Sequence, residues 1–220
     1  MASEVTVPIA RGGKCKAKPR RKETRPREVL RPTDEKANFQ RCTRLLIGGG
    51  TALLKEKFDQ LCPPRDLPKV LADPSTKEKL LTEAKLTKPQ WERLYPSRGA
   101  VAVSEDFDIS LLFKLLTTIT KIPAPVLGWN SKPHRKEVSL GADLARIKYY
   151  RNKVYAHVNQ EMSLEEDDFH YYWVEIEKPL TRIAGSISRE KKREWKKEIE
   201  NFKSNPLTAN EERYVEALET

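Results

Sequence analysis

From about Asp34 onward, apolar residues return at three- and four-residue steps, and no pair of stretches alternates as half-buried strands do. The clearest stripe is Leu140, Leu144, Ile147, Tyr150 and Val154, which predicts one amphipathic helix from Leu140 to Val158. Ser139 stands where its hydroxyl can accept a bond from a free backbone N–H, and Asp143 puts a negative charge in the first turns, where it suits the helix dipole. Arg151 and His157 each lie three places from Val154, on opposite sides. At about 100° per residue they flank the apolar stripe about 120° apart, bordering one seam without stacking.

The same periodicity predicts the other elements. Phe39, Cys42, Leu45 and Leu46, then Leu53, Leu54, Phe58 and Leu61, give a helix interrupted at Gly48-Gly49-Gly50 and ended by Pro63-Pro64. No Gly-Lys-Ser/Thr follows that triplet, so it reads as a kink or a close helix contact, not a phosphate cradle. Short helices follow around Leu67–Leu71 and Ser75–Ala84, and Thr87 with Pro89 opens another that carries Trp91 and Leu94. Asp106 or Asp108 can cap the most apolar stretch, Ile109–Ile119, which should lie at the centre of a bundle. A Pro-rich loop leads to the Leu140 helix, and a short turn covers Asn159–Met162. Ser163 with Glu166 then offers a capping box for a helix through Phe169, Trp173, Ile176, Leu180 and Ile183 that Gly185 can end. From Ser188 to Lys203, Lys, Arg and Glu alternate around Trp195, Ile199 and Phe202, which predicts a solvated helix free to project from the body. Ala209–Leu218 can add a short one. The expectation is an all-α fold in three parts: a disordered basic tail over 1–35, a helical domain over 38–184 and a charged helical extension over 186–220.

Composition narrows the partners. The 220 residues carry a formal charge of +10, with 34% charged against 38% hydrophobic. That balance favours polyanions such as nucleic acid. Residues 1–35 mix Gly and Pro with many Lys and Arg, including Lys18–Lys22, and bury too little apolar surface to offset their ordering entropy. Three scattered cysteines, Cys15, Cys42 and Cys62, supply neither a disulfide framework nor a C-x-x-C zinc site, so a reducing compartment is expected. No apolar run reaches the roughly 18 residues of a membrane span, and Met1–Ala10 lacks the apolar core of a signal peptide. The expectation is a soluble cytoplasmic protein, with the nucleus also open, no membrane partner and no cofactor or metal.

FDISLLFKLL at Phe107–Leu116, PAPVLGW at Pro123–Trp129 and SLGADLARIKYYRNKVYAH at Ser139–His157 together resemble a HEPN domain, of the subtype named after the DAZ-interacting zinc-finger ubiquitin ligase. WERLYP at Trp91–Pro96 and LCPPRDLPKVL at Leu61–Leu71 extend the resemblance to about two thirds of the chain. It implies a HEPN-like helical bundle in which Arg151 matches the family's arginine, Asn152 its polar follower and His157 its histidine. It also implies two protomers pairing so that both motifs line one composite cleft. Family members include metal-independent endoribonucleases, RNA binders and modules that only bind partners. Three scattered cysteines cannot hold the two zinc ions of a RING, so ligase activity does not follow.

RNA cleavage without metal needs a base for the ribose 2′-OH proton, an acid for the departing 5′ oxygen and cations for charge building on phosphorus oxygens. One histidine per protomer, titrating near neutrality, gives a homodimer both acid and base. Arg151 offers a permanently charged fork that matches phosphate, and Asn152 can orient either the imidazole or the phosphate. Lys148 and Tyr155 are the candidates for added contact to single-stranded RNA. His134 sits in an exposed loop, His170 is expected to pack, and the acidic run Glu165–Asp168 is explained by the helix dipole without a metal. Two function classes remain. One is an RNA-binding domain with metal-independent endoribonuclease activity at a composite dimeric site. The other is a non-catalytic interaction and self-association module, in a defence or signalling setting, with protein partners.

Overall fold

The structure, a computed structural model, describes residues 34–97, 99–158 and 162–204, without the side chains of Asp34, Tyr155, His157, Val158 and Ser204. The expected basic tail up to position 33, the turn at 159–161 and the expected short helix within 205–220 lie outside the described residues. Every regular element described is helical: α1 Asp34–Thr43, a π-helical turn Arg44–Gly49, α2 Gly50–Leu61, α3 Leu67–Ala72, α4 Pro74–Thr82, α5 Lys88–Leu94, a 3-10 turn Ser104–Asp106, α6 Ile109–Thr118, α7 Leu140–Val158, α8 Glu166–Ile187 and α9 Arg189–Ser204. The fold is an all-α, HEPN-like bundle. No helix among the described residues is long and apolar enough to cross a membrane.

The expected stripes form the core. Leu53, Leu54 and Phe58 of α2 meet Leu111, Leu112, Leu115 and Leu116 of α6. Leu144, Ile147, Tyr150 and Val154 of α7 pack with Phe169, Trp173, Ile176, Leu180 and Ile183 of α8. Thr87 and Gln90 close a reciprocal capping box on α5, and Asp108 caps α6. The glycine triplet supplies the expected close helix contact: Gly48 and Gly49 lie in the π-helical turn and Gly50 opens α2, and a Cβ on Gly49 would meet the Trp195 ring at 3.4 Å while one on Gly50 would meet Ile109 at 3.1 Å.

Three expectations are corrected. Ser163 does not cap α8, which begins at Glu166 with no side-chain cap. Its approach is fixed instead by Leu164, which is buried and donates its backbone N–H to the Glu35 carbonyl at 2.9 Å. Gly185 does not end α8, which continues to Ile187 because Lys57 and Gln60 of α2 donate to the Ser186 and Ile187 carbonyls at 3.2 and 3.3 Å. The charged helix α9 does not project: Trp195 and Ile199, one turn apart, are buried in the common core.

Asp143 also has a larger role than dipole complementarity. It is 2% exposed and sits between two arginines. Arg146 donates to it at 3.0 Å from the next turn of α7, and Arg182 reaches it from α8 through Nε and Nη2 at 2.5 to 3.1 Å. Arg146 then donates to the His134 and Glu137 carbonyls at 2.7 and 2.6 Å, which ties the loop before α7 into the same network. Replacing Asp143 with Ala leaves Arg146 buried without its counter-ion, so the expected cost is about 3 to 5 kcal/mol in urea unfolding. Arg182→Ala should cost less, because that side chain is about a third exposed and its loss leaves Asp143 paired with Arg146. A loss below about 1 kcal/mol for Asp143→Ala would show that this carboxylate does not hold the fold together.

Candidate functional site

Beside the core, α6 and α7 form a cleft. The carboxylate of Asp108 accepts from the Ser110 and Leu111 backbone N–H groups at 2.8 Å, which sets where α6 starts. With Leu111, Leu112, Leu115 and Leu116 in the core, positions 110, 114 and 117 fall on the opposite edge. They carry Ser, Lys and Thr on a helix otherwise rich in Leu. On α7, burial of Ile147 and Tyr150 leaves Lys148 and Arg151 on the flank facing that edge. The loop before α7 contributes Trp129, whose ring meets Phe113 edge to face at 5.8 Å, and Asn130. These walls enclose about 390 Å³.

Arg151 is half-buried at this cleft. Its Nη1 donates to Ser110 Oγ, and its Nε and Nη2 donate to Asn152 Oδ1 at 3.2 and 2.8 Å. Three of the five guanidinium N–H groups are thereby engaged on neutral oxygens, and nothing among the described residues takes the other two. Lys148 donates to Asn130 Oδ1 at 2.7 Å and lies over the Phe113 ring, 5.1 Å from its centroid. Lys114 donates to the Lys85 carbonyl at 2.7 Å and to Gln90 Oε1 at 2.9 Å.

Both lysines are held below the ordinary lysine pKa. Burial is the first cause for each. For Lys148 the charges of Arg151 and Lys114 add to it; for Lys114, Asp108 pulls the other way and Arg151 adds to burial. The exposed positions Asn152, Lys153 and Ala156 continue the face beyond Arg151, and no carboxylate occurs between Lys148 and Ala156. This arrangement can bind an anion with preformed donors.

Of the expected site residues, the structure joins Arg151 to Asn152 and sets Lys148 beside them. The side chains of Tyr155 and His157 lie outside the described residues. The sequence reading missed Ser110, Lys114 and Asn130. The signal for the first two was the polar edge at 110, 114 and 117 of an apolar helix; Asn130 had none. His134 is exposed and contributes only its carbonyl. His170, expected to pack, is exposed, with Nδ1 2.8 Å from the Glu166 carbonyl. Glu165–Asp168 are exposed at the start of α8, and no group of three or more His, Cys, Asp or Glu among the described residues could hold a metal ion. Burial pushes the Cys42 thiol up to about 12, away from thiolate chemistry.

The profile of the DZIP3/hRUL138-like HEPN family matches residues 64–215, which include the whole cleft-forming part of α6 and α7. The E3 ubiquitin-protein ligase DZIP3 of Homo sapiens is 27% identical over 173 residues, 77% of this chain and 14% of that protein. The protein of the same name from Mus musculus is 27% identical over 150 residues, 66% of this chain and 12% of that protein. The chain thus aligns with only a small part of these curated relatives. No solved structure matches it significantly. With the helical bundle and a family profile covering well over half its length, the chain belongs to the DZIP3/hRUL138-like HEPN family.

Proposed function

We propose that this HEPN domain binds single-stranded RNA along the face of α7 that carries Lys148, Arg151 and Asn152. We further propose that two copies together cleave RNA without a metal, using Arg151, Asn152 and His157. The observation that carries the reading is Arg151: its fork is held by Ser110 and Asn152, two N–H groups remain, and Lys148 and Lys114 stand beside it. A guanidinium placed this way matches a phosphate bidentately and needs little reordering when RNA arrives. Aromatic rings at Phe113 and Trp129, which line the same cleft as the cations, suit unpaired bases better than a duplex.

In the proposed chemistry the ribose 2′ oxygen attacks phosphorus as the imidazole of His157 from one copy takes its proton. The bond to the 5′ oxygen breaks, and the imidazolium of the second copy protonates that oxygen. The products are a 2′,3′-cyclic phosphate and a 5′-hydroxyl end. Arg151 stabilises the charge on the non-bridging oxygens. Ubiquitin ligation, named for the relatives, belongs to much longer proteins and is not part of this proposal.

The direct test is cleavage of end-labelled single-stranded RNA in EDTA by wild type, Arg151→Ala and His157→Ala, with folding checked by circular dichroism. Wild type should leave cyclic-phosphate ends, and each variant should be slower by about 10² or more while melting like wild type. RNA bound but not cut would remove the catalytic half of the proposal. A folded wild type that neither binds nor cuts RNA would leave the self-association and interaction role.

Lys148 gives a separate check. Its folded-state pKa lies below the ordinary lysine value, so at neutral pH the charged lysine is disfavoured in the fold relative to the unfolded chain. That penalty lessens as pH rises through the depressed pKa toward the ordinary one. Lys148→Met should therefore melt no lower than wild type at pH 7, yet bind RNA more weakly and with a shallower salt dependence. Thermal melting and filter binding at several salt concentrations read the two effects, and a variant with lower melting temperature and unchanged RNA affinity would contradict both.

A further inference from the structure

The outward face of α8 carries an apolar strip between two banks of positive charge. Tyr171 and Val174 are 51% and 40% exposed, and with the exposed Lys178 and Gly185 they follow one another at helical steps. On one side, the loop before α7 supplies Lys132 and Arg135 to a hollow of about 580 Å³ that Tyr171, Val174 and Lys178 help to enclose. The carboxylate in that hollow, Glu175, is already taken: Tyr150 donates its hydroxyl to it at 2.6 Å, and Lys132 and Lys178 pair with it at 3.3 and 3.4 Å. Arg135 is exposed and has no carboxylate partner among the described residues. On the other side lies α9. Lys192 covers Gly185, its Cδ 3.2 Å from where a Cβ there would stand, while Lys191 pairs with Glu56 of α2 at 3.3 Å. The flank of α9 that carries Lys192 therefore borders the strip, and the other flank borders α2. At about 100° per residue, Arg189, Lys196 and Lys203 fall within about 60° of one another and of Lys192, with Glu200 at the edge, whereas Glu190, Glu194 and Glu198 fall on the opposite flank. Lys192 and Lys196 are exposed and form no ion pair among the described residues.

We propose that this face of α8 docks an acidic amphipathic helix of another protein. The surface is separate from the α6–α7 cleft and does not depend on RNA binding there. Its side chains decide the class of partner. Tyr171 and Val174 give the apolar centre that protein interfaces bury, and cations on both sides form a rim that selects carboxylates and steers their approach. A nucleic-acid strand fits this face worse. Lys132 lies over the Tyr171 ring, 5.7 Å from its centroid, so one side of that ring is taken. Val174 offers no ring to a base, and the exposed Asp167, one turn before Tyr171 on the same face, repels phosphates. The length of the strip decides the shape of the partner. From Tyr171 to Gly185, where Lys192 crosses, it runs about 21 Å, roughly four turns of helix. A helix laid along it meets the strip through apolar residues at i, i+3, i+4 and i+7. Asp167 also sets polarity, since the partner's carboxylates belong beside Arg135, Lys178, Lys192 and Lys196 and not beside the start of α8. Rim charges contribute little each, so the affinity should be modest and should fall with salt.

The test uses the full chain and a set of synthetic helical peptides of about 16 residues, long enough to span the strip. Three share a stripe of Leu and Tyr at i, i+3, i+4 and i+7 and carry Glu, Gln or Lys on their flanks. Another has the composition of the Glu peptide with the stripe scrambled. Fluorescence anisotropy at low and high salt reads binding, and circular dichroism checks that each variant is folded. The Glu peptide should bind about tenfold tighter than the Gln peptide at low salt and lose most of that advantage at high salt, with the Lys and scrambled peptides weakest. Val174→Asp should weaken the Glu peptide about tenfold, and so should Arg135→Glu combined with Lys196→Glu, which reverses one cation in each bank. Lys69→Glu with Lys79→Glu, exposed on α3 and α4, makes the same charge change elsewhere and should leave binding within about twofold. Equal binding of the Glu, Gln and Lys peptides overturns the proposal, as does a folded wild type that binds none of them. Unchanged affinity for the Glu peptide in folded Val174→Asp and in the folded Arg135→Glu, Lys196→Glu variant also overturns it. Single-stranded RNA is added as a competitor: if it displaces the Glu peptide and loses affinity by the same factor in the Arg135→Glu, Lys196→Glu variant, the face is a nucleic-acid surface and the proposal fails.

Discussion

The arrangement depends on how a buried carboxylate is compensated. A carboxylate as buried as Asp143 needs partners, since desolvation of a lone charge costs several kcal/mol. Arg146 and Arg182 meet that requirement from two different helices. The pairing does more than neutralise. It joins α7 to α8, and through Arg146 it fixes the carbonyls of His134 and Glu137 in a loop of about twenty residues that has no regular structure. Loops of that length in compact domains are uncommon unless something holds them. Lys132 adds a second attachment to Glu175 on α8 at 3.3 Å. Gly141 provides a third, because its missing Cβ leaves room for the Pro123 carbonyl, which a side chain there would meet at 2.1 Å. The same loop places Trp129 and Asn130 on the cleft, so the clamp at Asp143 is a condition for the site as well as for the core.

The opposite wall shows how one helix serves two environments. Nearly every position of α6 that faces inward is Leu or Ile, and that burial holds the helix firmly against α2. Its remaining edge carries Ser110, Lys114 and Thr117, and a rigid helix holds those groups more closely in place than a loop would. Ser110 fixes the orientation of Arg151 across the gap. Lys114 therefore stands near Arg151 because of helix packing and not through any attraction between them. Two cations lie where electrostatics alone would push them apart, and the packing of the core supplies the opposing free energy. Sites that bind ions commonly carry this tension between stability and function.

Much of this was legible in the sequence where the governing interaction is local. The helical period set the buried stripes of α6, α7 and α8. Thr87 with Gln90 and Asp108 with the start of α6 are caps whose partners lie within three residues. Arg151, Asn152 and Lys148 share one helix, so their proximity followed from spacing alone. What failed depended on distant partners. Ser163 lost its capping role because Leu164 is drawn into the core and bonded to Glu35. The expectation that α9 projects failed although most of its positions are exposed, because burial of Trp195 and Ile199 suffices to seat it, with the Trp195 ring against Gly49. Lys114 left a polar edge on an apolar helix as its signal, but nothing in the chain announces that this edge of α6 will lie beside α7.

Helix geometry also bears on how many copies each activity needs. Six residues separate Arg151 from position 157, a rotation that leaves the two about 120° apart on α7. Arg151 is turned toward α6 and held there by Ser110. The cleavage proposed above takes its two histidines from two copies of the chain. Binding at the α6–α7 cleft uses residues from a single chain and carries no such requirement. The two proposed activities should then separate with concentration: anion binding per chain would stay constant on dilution, while cleavage by the proposed dimer would fall.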